Sequence, residues 1–142
     1  MRVLLDTNVY ISYLLMPSSD GPIAQSVVNG LEGVYTLLVP SELIEELERK
    51  VTTKSYLVQR ISPEMLIDLV NILRHSALLL PAISLTVPKV SRDPEDDYLL
   101  AHAIMAGADV LVTGDGDLLV LDPLDSLRIL TPQVFLKVLD QS

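Results

Sequence analysis

The 142-residue sequence contains no cysteine and no tryptophan, and aromatic residues make up only 4% of it. Without cysteine there is no disulfide, no thiolate nucleophile and no cysteine-ligated zinc site, which fits a reducing cytosol. Because aromatic residues are scarce, aliphatic side chains must form the core, and a hydrophobic content of 49% is enough for one.

Long apolar runs and secretion signals are missing as well. No apolar stretch approaches the roughly 20 residues that span a membrane. No basic segment followed by an apolar stretch and a cleavage site stands at the start of the sequence. We therefore expect a cytoplasmic protein that has no membrane partner. The length predicts a single domain, residues 1–142.

The chain also has a deficit of positive charge, with a net charge of −9. This weakens the case for nucleic-acid binding, which normally uses a basic face, but does not exclude it. Several basic residues lie close together in one stretch and are our candidates for phosphate contacts, with Tyr56 as a possible stacking surface: Arg49, Lys50, Lys54 and Arg60.

Short apolar runs alternate with segments of helical spacing along the whole chain. The runs predict strands at 3–5, 35–39, 78–80, 110–112 and 127–130. Helices are predicted at 10–15, 23–31, from Ser41 as an N-cap onward, 63–74, 94–106 and 133–139. Continuous apolar strands alternating with helices predict a three-layer α/β/α sandwich around a parallel sheet of about five short strands.

Acidic residues follow the predicted strands. Asp6 ends the first strand, and Asp115 and Asp117 come after the fourth. Open parallel sheets place their sites beyond the carboxyl ends of the strands, so these acids should meet in one crevice. Clustered carboxylates repel one another unless a cation neutralises them, which favours a divalent-metal site. Taken singly, Asp6 could also be a helix cap or a nucleophile, and Asn8 beside it a polar partner.

A second group of acids begins the helix after the second strand. Glu42, Glu45 and Glu46 lie within its early turns, where a negative charge also favours the helix dipole. We favour Glu46 as the functional residue because its face borders the apolar stripe most directly. Glu42 and Glu45 remain alternatives.

The densest acidic run is Asp93 to Asp97. Asp93 is a suitable N-cap, and Glu95 and Asp96 complement the helix dipole. Asp97 has no such structural explanation, so we expect it to have a metal as its partner. His102 follows on the same helix, where we expect a satisfied structural histidine rather than a catalytic one.

Together these motifs resemble a PIN domain, the fold of the VapC-type toxin ribonucleases, and most of all the subgroup described as toxin components of toxin–antitoxin systems. The resemblance runs from Met1 to about Leu139. Its motifs are Leu5 to Val9, Ser41 to Leu47, Asp93 to Asp97, Leu111 to Asp115 followed by Asp117 to Leu119, and Ile129 to Pro132 with Phe135 and Leu136.

The resemblance implies a metal-dependent endoribonuclease that uses Mg²⁺ or Mn²⁺. Its implied metal-binding and catalytic acids are Asp6, Glu46, Asp97 and Asp115, with Asp117 as an accessory ligand and Asn8 and Thr113 as supporting polar residues. The implied partners are an RNA substrate, a cognate antitoxin protein and a second copy of the chain in a homodimer.

Three alternatives stay open at this point. The chain could be a PIN nuclease of RNA processing or decay without an antitoxin, or a PIN module that binds RNA or a partner without cutting. Gly114-Asp115-Gly116 after an apolar strand also suits a haloacid-dehalogenase-type phosphatase with Asp6 as nucleophile. Phosphatases of that family have a second Asp two residues after the nucleophile, where this chain has Asn8, which argues against this alternative.

Overall fold

This computed structural model describes residues 1–141, so Ser142 of the predicted domain lies outside the described residues. Strands and helices alternate along the chain: β1 (Arg2–Leu5), α1 (Thr7–Leu15), α2 (Pro22–Leu31), β2 (Thr36–Pro40), α3 (Ser41–Thr53), α4 (Ser55–Arg60), α5 (Pro63–Ser76), β3 (Leu78–Leu80), α6 (Pro94–Met105), β4 (Val110–Val112), α7 (Gly116–Leu119), β5 (Arg128–Leu130) and α8 (Pro132–Asp140).

The strands form one five-stranded sheet in the order β3-β2-β1-β4-β5, and every neighbouring pair is parallel. Leu4 in the central strand pairs with Leu38 of β2 on one side and with Leu111 of β4 on the other. The predicted α/β fold with a parallel five-stranded sheet is therefore confirmed.

The strand order reverses direction beside β1. The chain moves outward from β1 to β2 and β3 and then returns to place β4 on the other side of β1. Because such crossovers are right-handed, helices α1 to α5 belong on one face of the sheet and α6 on the other. In agreement, α1 packs against α2 and α3, and α5 packs against α2 and α3.

The core lies on both faces of the sheet. Val3, Leu4 and Leu5 of β1 are completely buried, which explains why the strand is a continuous apolar run rather than an alternating one. At one face the ring of Tyr35 meets that of Phe135 edge-on at 5.3 Å between centroids. Aliphatic residues make up most of the rest, as the composition predicted.

Some boundaries differ from the sequence prediction. Helix α1 begins at Thr7, directly after Asp6, and not at Tyr10. Thr7 and Asn8 are polar, so the start of the helix carries no apolar periodicity that would reveal it. The N-cap of α3 is Pro40 rather than Ser41. Asp93 is the N-cap of α6, as predicted, and accepts a hydrogen bond from the amide of Glu95.

Two short helices, α4 and α7, were not predicted. Each spans six residues or fewer and buries a single apolar side chain, Leu57 or Leu118, so neither shows a repeating apolar pattern. Among residues 1–141, no helix is both long and apolar enough to cross a membrane.

Candidate active site

Asp6 and Asp115 lie at the carboxyl ends of β1 and β4, the two strands at which the sheet order reverses. The amide of Asp6 donates to the carbonyl of Val112 at 2.9 Å, which extends the pairing of the two strands up to the acids. A crevice forms at such a reversal because the chain leaves neighbouring strands in opposite directions. The fold thus brings the first and the last predicted acid to the same place.

Thr113 connects these two acids. Its buried hydroxyl donates to Oδ2 of Asp6 at 2.7 Å and accepts from the amide of Asp115 at 3.0 Å. Burial raises the pKa of Asp6, the hydrogen bond from Thr113 lowers it, and the nearby charge of Glu46 raises it again, so that it lies above its usual value. An orienting role for Thr113 toward Asp6 is consistent with this geometry.

Of the three glutamates that begin α3, the structure brings Glu46 to Asp6. Glu46 is only 9% exposed, and Lys50 lies 3.7 Å from its Oε1 atom, one turn further along the helix. Glu45 is exposed. Glu42 is engaged elsewhere, with the backbone of Ile83 and with the imidazole of His102, as described below.

The carboxylate of Asp97 is hydrogen-bonded to backbone amides. Its Oδ1 atom accepts hydrogen bonds from the backbone amides of Val90 at 3.0 Å and Ser91 at 2.8 Å. Burial raises its pKa, but these hydrogen bonds outweigh burial and hold the pKa below its usual value. The sequence predicted a metal as the partner of Asp97. In the structure its carboxylate is bound by the backbone of the segment before α6.

Asp96 is the residue of α6 that lies close to Asp6 and Asp115, which together with Glu46 form the acidic cluster. The sequence had explained Asp96 only by its favourable interaction with the helix dipole. Burial and the charges of Asp6, Asp93 and Asp115 raise the pKa of Asp96 to about 7. Burial is the largest cause of this shift, and the three neighbouring carboxylates add to it, which they can do only from close range. The structure thus brings Asp96, and not its neighbour, to Asp6 and Asp115.

Asp117 and Asn8 lie at the edge of this cluster. Asp117 is exposed, and its amide donates to Oδ1 of Asp115, which caps α7. Asn8 is exposed on the first turn of α1. A Cβ atom added to Gly114 or Gly116 would meet nothing within 4 Å, so the space beside Asp115 is open.

A cleft of about 200 Å³ lies between α3 and α6 over the end of the sheet. The polar groups that line it include Asp6, Glu42, Glu46, Arg49, Asp96 and His102. A second depression of about 340 Å³ lies beside β3, and none of the strand-end aspartates lines it. Asp6, Glu46 and Asp96 therefore share the first cleft, and Asp115 lies outside its lining.

The basic residues proposed for phosphate binding differ in their relation to this cleft. Arg49 lines it and pairs with Glu95 at 2.6 Å, and Lys50 pairs with Glu46. Lys54 is exposed at the end of α3. Arg60 lies on α4 with its guanidinium 4.1 Å from the centre of the Tyr56 ring. Arg49 and Lys50 are thus the two that reach the acids.

The family model described as PIN domain matches residues 2–117, most of the chain. The chain belongs to the PIN domain family. It is similar in structure to a chain of VapBC2 from Rickettsia felis bound to a DNA fragment from their promoter, with 16% sequence identity and a TM-score of 0.58. The likeness covers 91% of this chain and 97% of that one. No curated protein matches the sequence.

Membership of the PIN family leaves the phosphatase alternative without support. It also raises the question of whether the acidic cluster suits a divalent cation. Among residues 1–141, no three carboxylate or imidazole groups are arranged so that they could bind one ion directly. Mg²⁺, however, keeps several of its waters and usually takes only one or two carboxylates.

The electrostatics of the cluster do suit such an ion. The charge of Glu46 raises the pKa of Asp6, and the charges of Asp6 and Asp115 raise that of Asp96, so the carboxylates repel one another. A hydrated divalent cation among them would remove this repulsion. The donor set is composed of oxygen atoms, which Mg²⁺ and Mn²⁺ prefer.

Proposed function

We propose that this PIN domain is a Mg²⁺- or Mn²⁺-dependent endoribonuclease and the toxin of a VapBC-type toxin–antitoxin pair. The observation that carries the proposal is the convergence of acids from four separate chain segments at the reversal of strand order. Family membership and the structural likeness to a VapBC2 chain support the same reading.

The acids that we propose as ligands are Asp6, Glu46, Asp96 and Asp115. Asp96 takes the place that the sequence assigned to Asp97, because it is Asp96 whose charge interacts with Asp6 and Asp115. Asp117, exposed beside Asp115, is placed to act through a bound water as an accessory ligand.

A divalent ion in this cluster would lower the pKa of a water and neutralise charge on the scissile phosphate. The protein contributes position. Thr113 holds Asp6 through its hydroxyl and fixes the start of the Asp115 turn through its oxygen. Glu46 on α3 and Asp96 on α6 both line the cleft. Asn8, at the rim, is available for a phosphate oxygen.

The substrate that we propose is RNA, as the family resemblance implies. Phosphates approaching an acidic cleft need positive charge beside it. Arg49 and Lys50 supply that charge at the cleft, and Lys54 and Arg60 extend it along α3 and α4. The Arg60–Tyr56 stack offers a flat surface for a base.

The partners that we propose are an antitoxin protein, which would cover the cleft, and a second copy of this chain. The VapBC2 likeness supports the first. We propose a cytoplasmic location because the proposed substrate is RNA, and no helix among residues 1–141 is long and apolar enough to span a membrane.

The proposal is tested by incubating mixed-sequence single-stranded RNA with the purified protein, with Mg²⁺, with Mn²⁺ and with excess EDTA. We expect cleavage that EDTA abolishes and that Asp6→Asn lacks. A folded protein that binds the RNA but never cuts it would favour a non-catalytic PIN module. Cleavage without any co-encoded inhibitory protein would favour RNA processing or decay.

A further inference from the structure

Glu42 forms a bridge between the two walls of the cleft. Its Oε1 atom lies 2.8 Å from Nε2 of His102 on α6, and its Oε2 atom accepts the backbone amide of Ile83 at 2.9 Å. A single side chain on α3 thus joins α6 and the segment after β3. Both carboxylate oxygens are engaged.

The bridge is well protected from solvent on the histidine side. His102 is only 4% exposed, and a buried imidazole is costly unless its nitrogen atoms find partners. Burial raises the pKa of Glu42, but the hydrogen bonds from Ile83 and His102 outweigh burial and lower the pKa below its usual value. Glu42 is therefore held as a hydrogen-bonded carboxylate.

Few other contacts fix the distance between α3 and α6. The two helices do not pack closely along their lengths. A second link, Arg49 to Glu95, is exposed, with 56% and 39% of the side chains accessible, and such pairs contribute little. The bridge through Glu42, with 5% of the His102 side chain and 29% of the Glu42 side chain exposed, is thus the better protected of these two links across the cleft.

The helices that it joins carry the acids of the site. Glu46 lies one turn after Glu42 on α3, and Asp96 lies in the first turn of α6, the helix of His102. A change in the separation of α3 and α6 would move these two carboxylates apart. Substitution of residues that orient metal ligands from behind typically lowers metal affinity or activity by about 10- to 100-fold.

We propose that Glu42 is a positioning residue: through His102 and Ile83 it sets the separation of Glu46 and Asp96, and so the affinity of the cleft for a divalent cation. The inference rests on the proposed function because it takes those two acids as ligands. It also assigns Glu42 a role different from that of a ligand.

Two substitutions of Glu42 separate the effect of its side-chain length from the effect of its negative charge. Glu42→Gln keeps the length of the side chain, so that its amide still reaches both the backbone amide of Ile83 and Nε2 of His102, but the charge is lost. Glu42→Asp keeps the charge but is one methylene too short to reach both partners. The readouts are Mn²⁺ affinity by calorimetric titration of the full chain and the thermal midpoint without metal. Glu46→Gln is the reference for a lost ligand.

We expect Glu42→Asp to bind Mn²⁺ about 10-fold more weakly than wild type, and Glu42→Gln to bind it nearly as well. If Glu42→Gln is as weak as Glu46→Gln, Glu42 is itself a ligand and the proposal is wrong. A lower thermal midpoint in Glu42→Asp with unchanged Mn²⁺ affinity would mean a purely structural role and would also overturn it.

Failure of the proposed function gives a different result. In that case wild type binds no Mn²⁺, or Glu46→Gln binds it as well as wild type does. Should Glu42→Asp fail to fold, the comparison is repeated from the other side of the bridge. His102→Gln can place a donor near the position of Nε2, whereas His102→Asn is too short, and we expect only the latter to weaken Mn²⁺ binding.

Discussion

Asp96 and Asp97 are neighbours in the chain, but their carboxylates have opposite surroundings. Asp97 accepts two backbone hydrogen bonds that stabilise its charge. Asp96 faces the negative charges of Asp6, Asp93 and Asp115, which destabilise its charge. Asp97 holds a segment of backbone in place. Asp96 has a negative charge that its neighbours repel, and a bound cation can relieve that repulsion.

The repulsion around Asp96 predicts that the stability of the protein depends on pH. Burial and the neighbouring acids raise the pKa of Asp96 from 3.8 to about 7 in the folded protein. Between these two values the folded state keeps a proton that the unfolded state has released. The metal-free protein should therefore lose stability as the pH rises from about 4 to about 7.

The measurement is the thermal midpoint in EDTA at about pH 5 and about pH 8, for wild type and Asp96→Asn. We expect the midpoint of wild type to fall more over this interval, because the variant lacks the carboxyl group that ionises. Excess Mn²⁺ should reduce the difference. Identical pH dependences in EDTA would contradict the account of Asp96.

The assignment of Asp96 could have been reached from helical spacing. Positions three, four and seven residues after Asp96 are Leu99, Leu100 and Ala103, all of which are buried. By the same spacing, Asp97 shares a face with Leu100, Ala101 and Ile104, of which only Leu100 is buried and Ile104 is 49% exposed. The burial of Asp97 comes from the segment around Val90, and no periodicity in the sequence reveals such a contact.

At the scale of elements, the long segment between β3 and α6 is held at both ends by carboxylates. Glu42 accepts the amide of Ile83 near its start, and Asp97 accepts those of Val90 and Ser91 near its end. Residues 81–91 contain no helix or strand. Side-chain hydrogen bonds of this kind therefore fix backbone that has no sheet or helix partners.

Removal of the second anchor should loosen this segment. We expect Asp97→Ala to speed limited trypsin cleavage after Lys89, the exposed basic residue next to the anchored amides. Asp122→Ala is a matched control because Asp122 also accepts a backbone amide, that of Ile129, in another part of the fold. Equal rates of cleavage after Lys89 in wild type and Asp97→Ala would contradict the anchoring role.

The prediction of elements succeeded where burial is continuous. Runs such as Val3 to Leu5 are apolar at every position because helices cover both faces of the sheet, and they identify the strands and the parallel sheet. The start of α1 escaped prediction because it is polar, and α4 and α7 because they are too short to show a repeating apolar pattern. The bridge between Glu42 and His102 joins residues 60 positions apart, which local pattern does not reveal.

At the scale of the whole molecule, a net charge of −9 opposes the approach of RNA. A bound cation would partly neutralise the acids in the cleft. Of the basic residues, Arg49 lines the cleft and Lys50 lies beside Glu46. RNA binding should therefore depend on where positive charge is placed and not only on its total amount.

A pair of charge reversals tests this. In an Asp6→Asn background, which prevents cleavage, we expect Lys54→Glu to weaken binding of single-stranded RNA. The slope of log affinity against log salt concentration should become shallower by about 1. Lys137→Glu makes the same change in net charge on α8 and should have a smaller effect. Equal losses from both variants would mean that only total charge matters.

The most direct test of the central claim is the rate of RNA cleavage in Mg²⁺ or Mn²⁺ by wild type, Asp96→Asn and Asp97→Asn, compared side by side. The claim is that the acids gathered at the strand reversal hold the catalytic ion and that Asp96 is one of them. It predicts cutting by wild type, loss of at least about 100-fold in Asp96→Asn, and a folded, active Asp97→Asn. Full activity in Asp96→Asn, with loss in a folded Asp97→Asn, would contradict it.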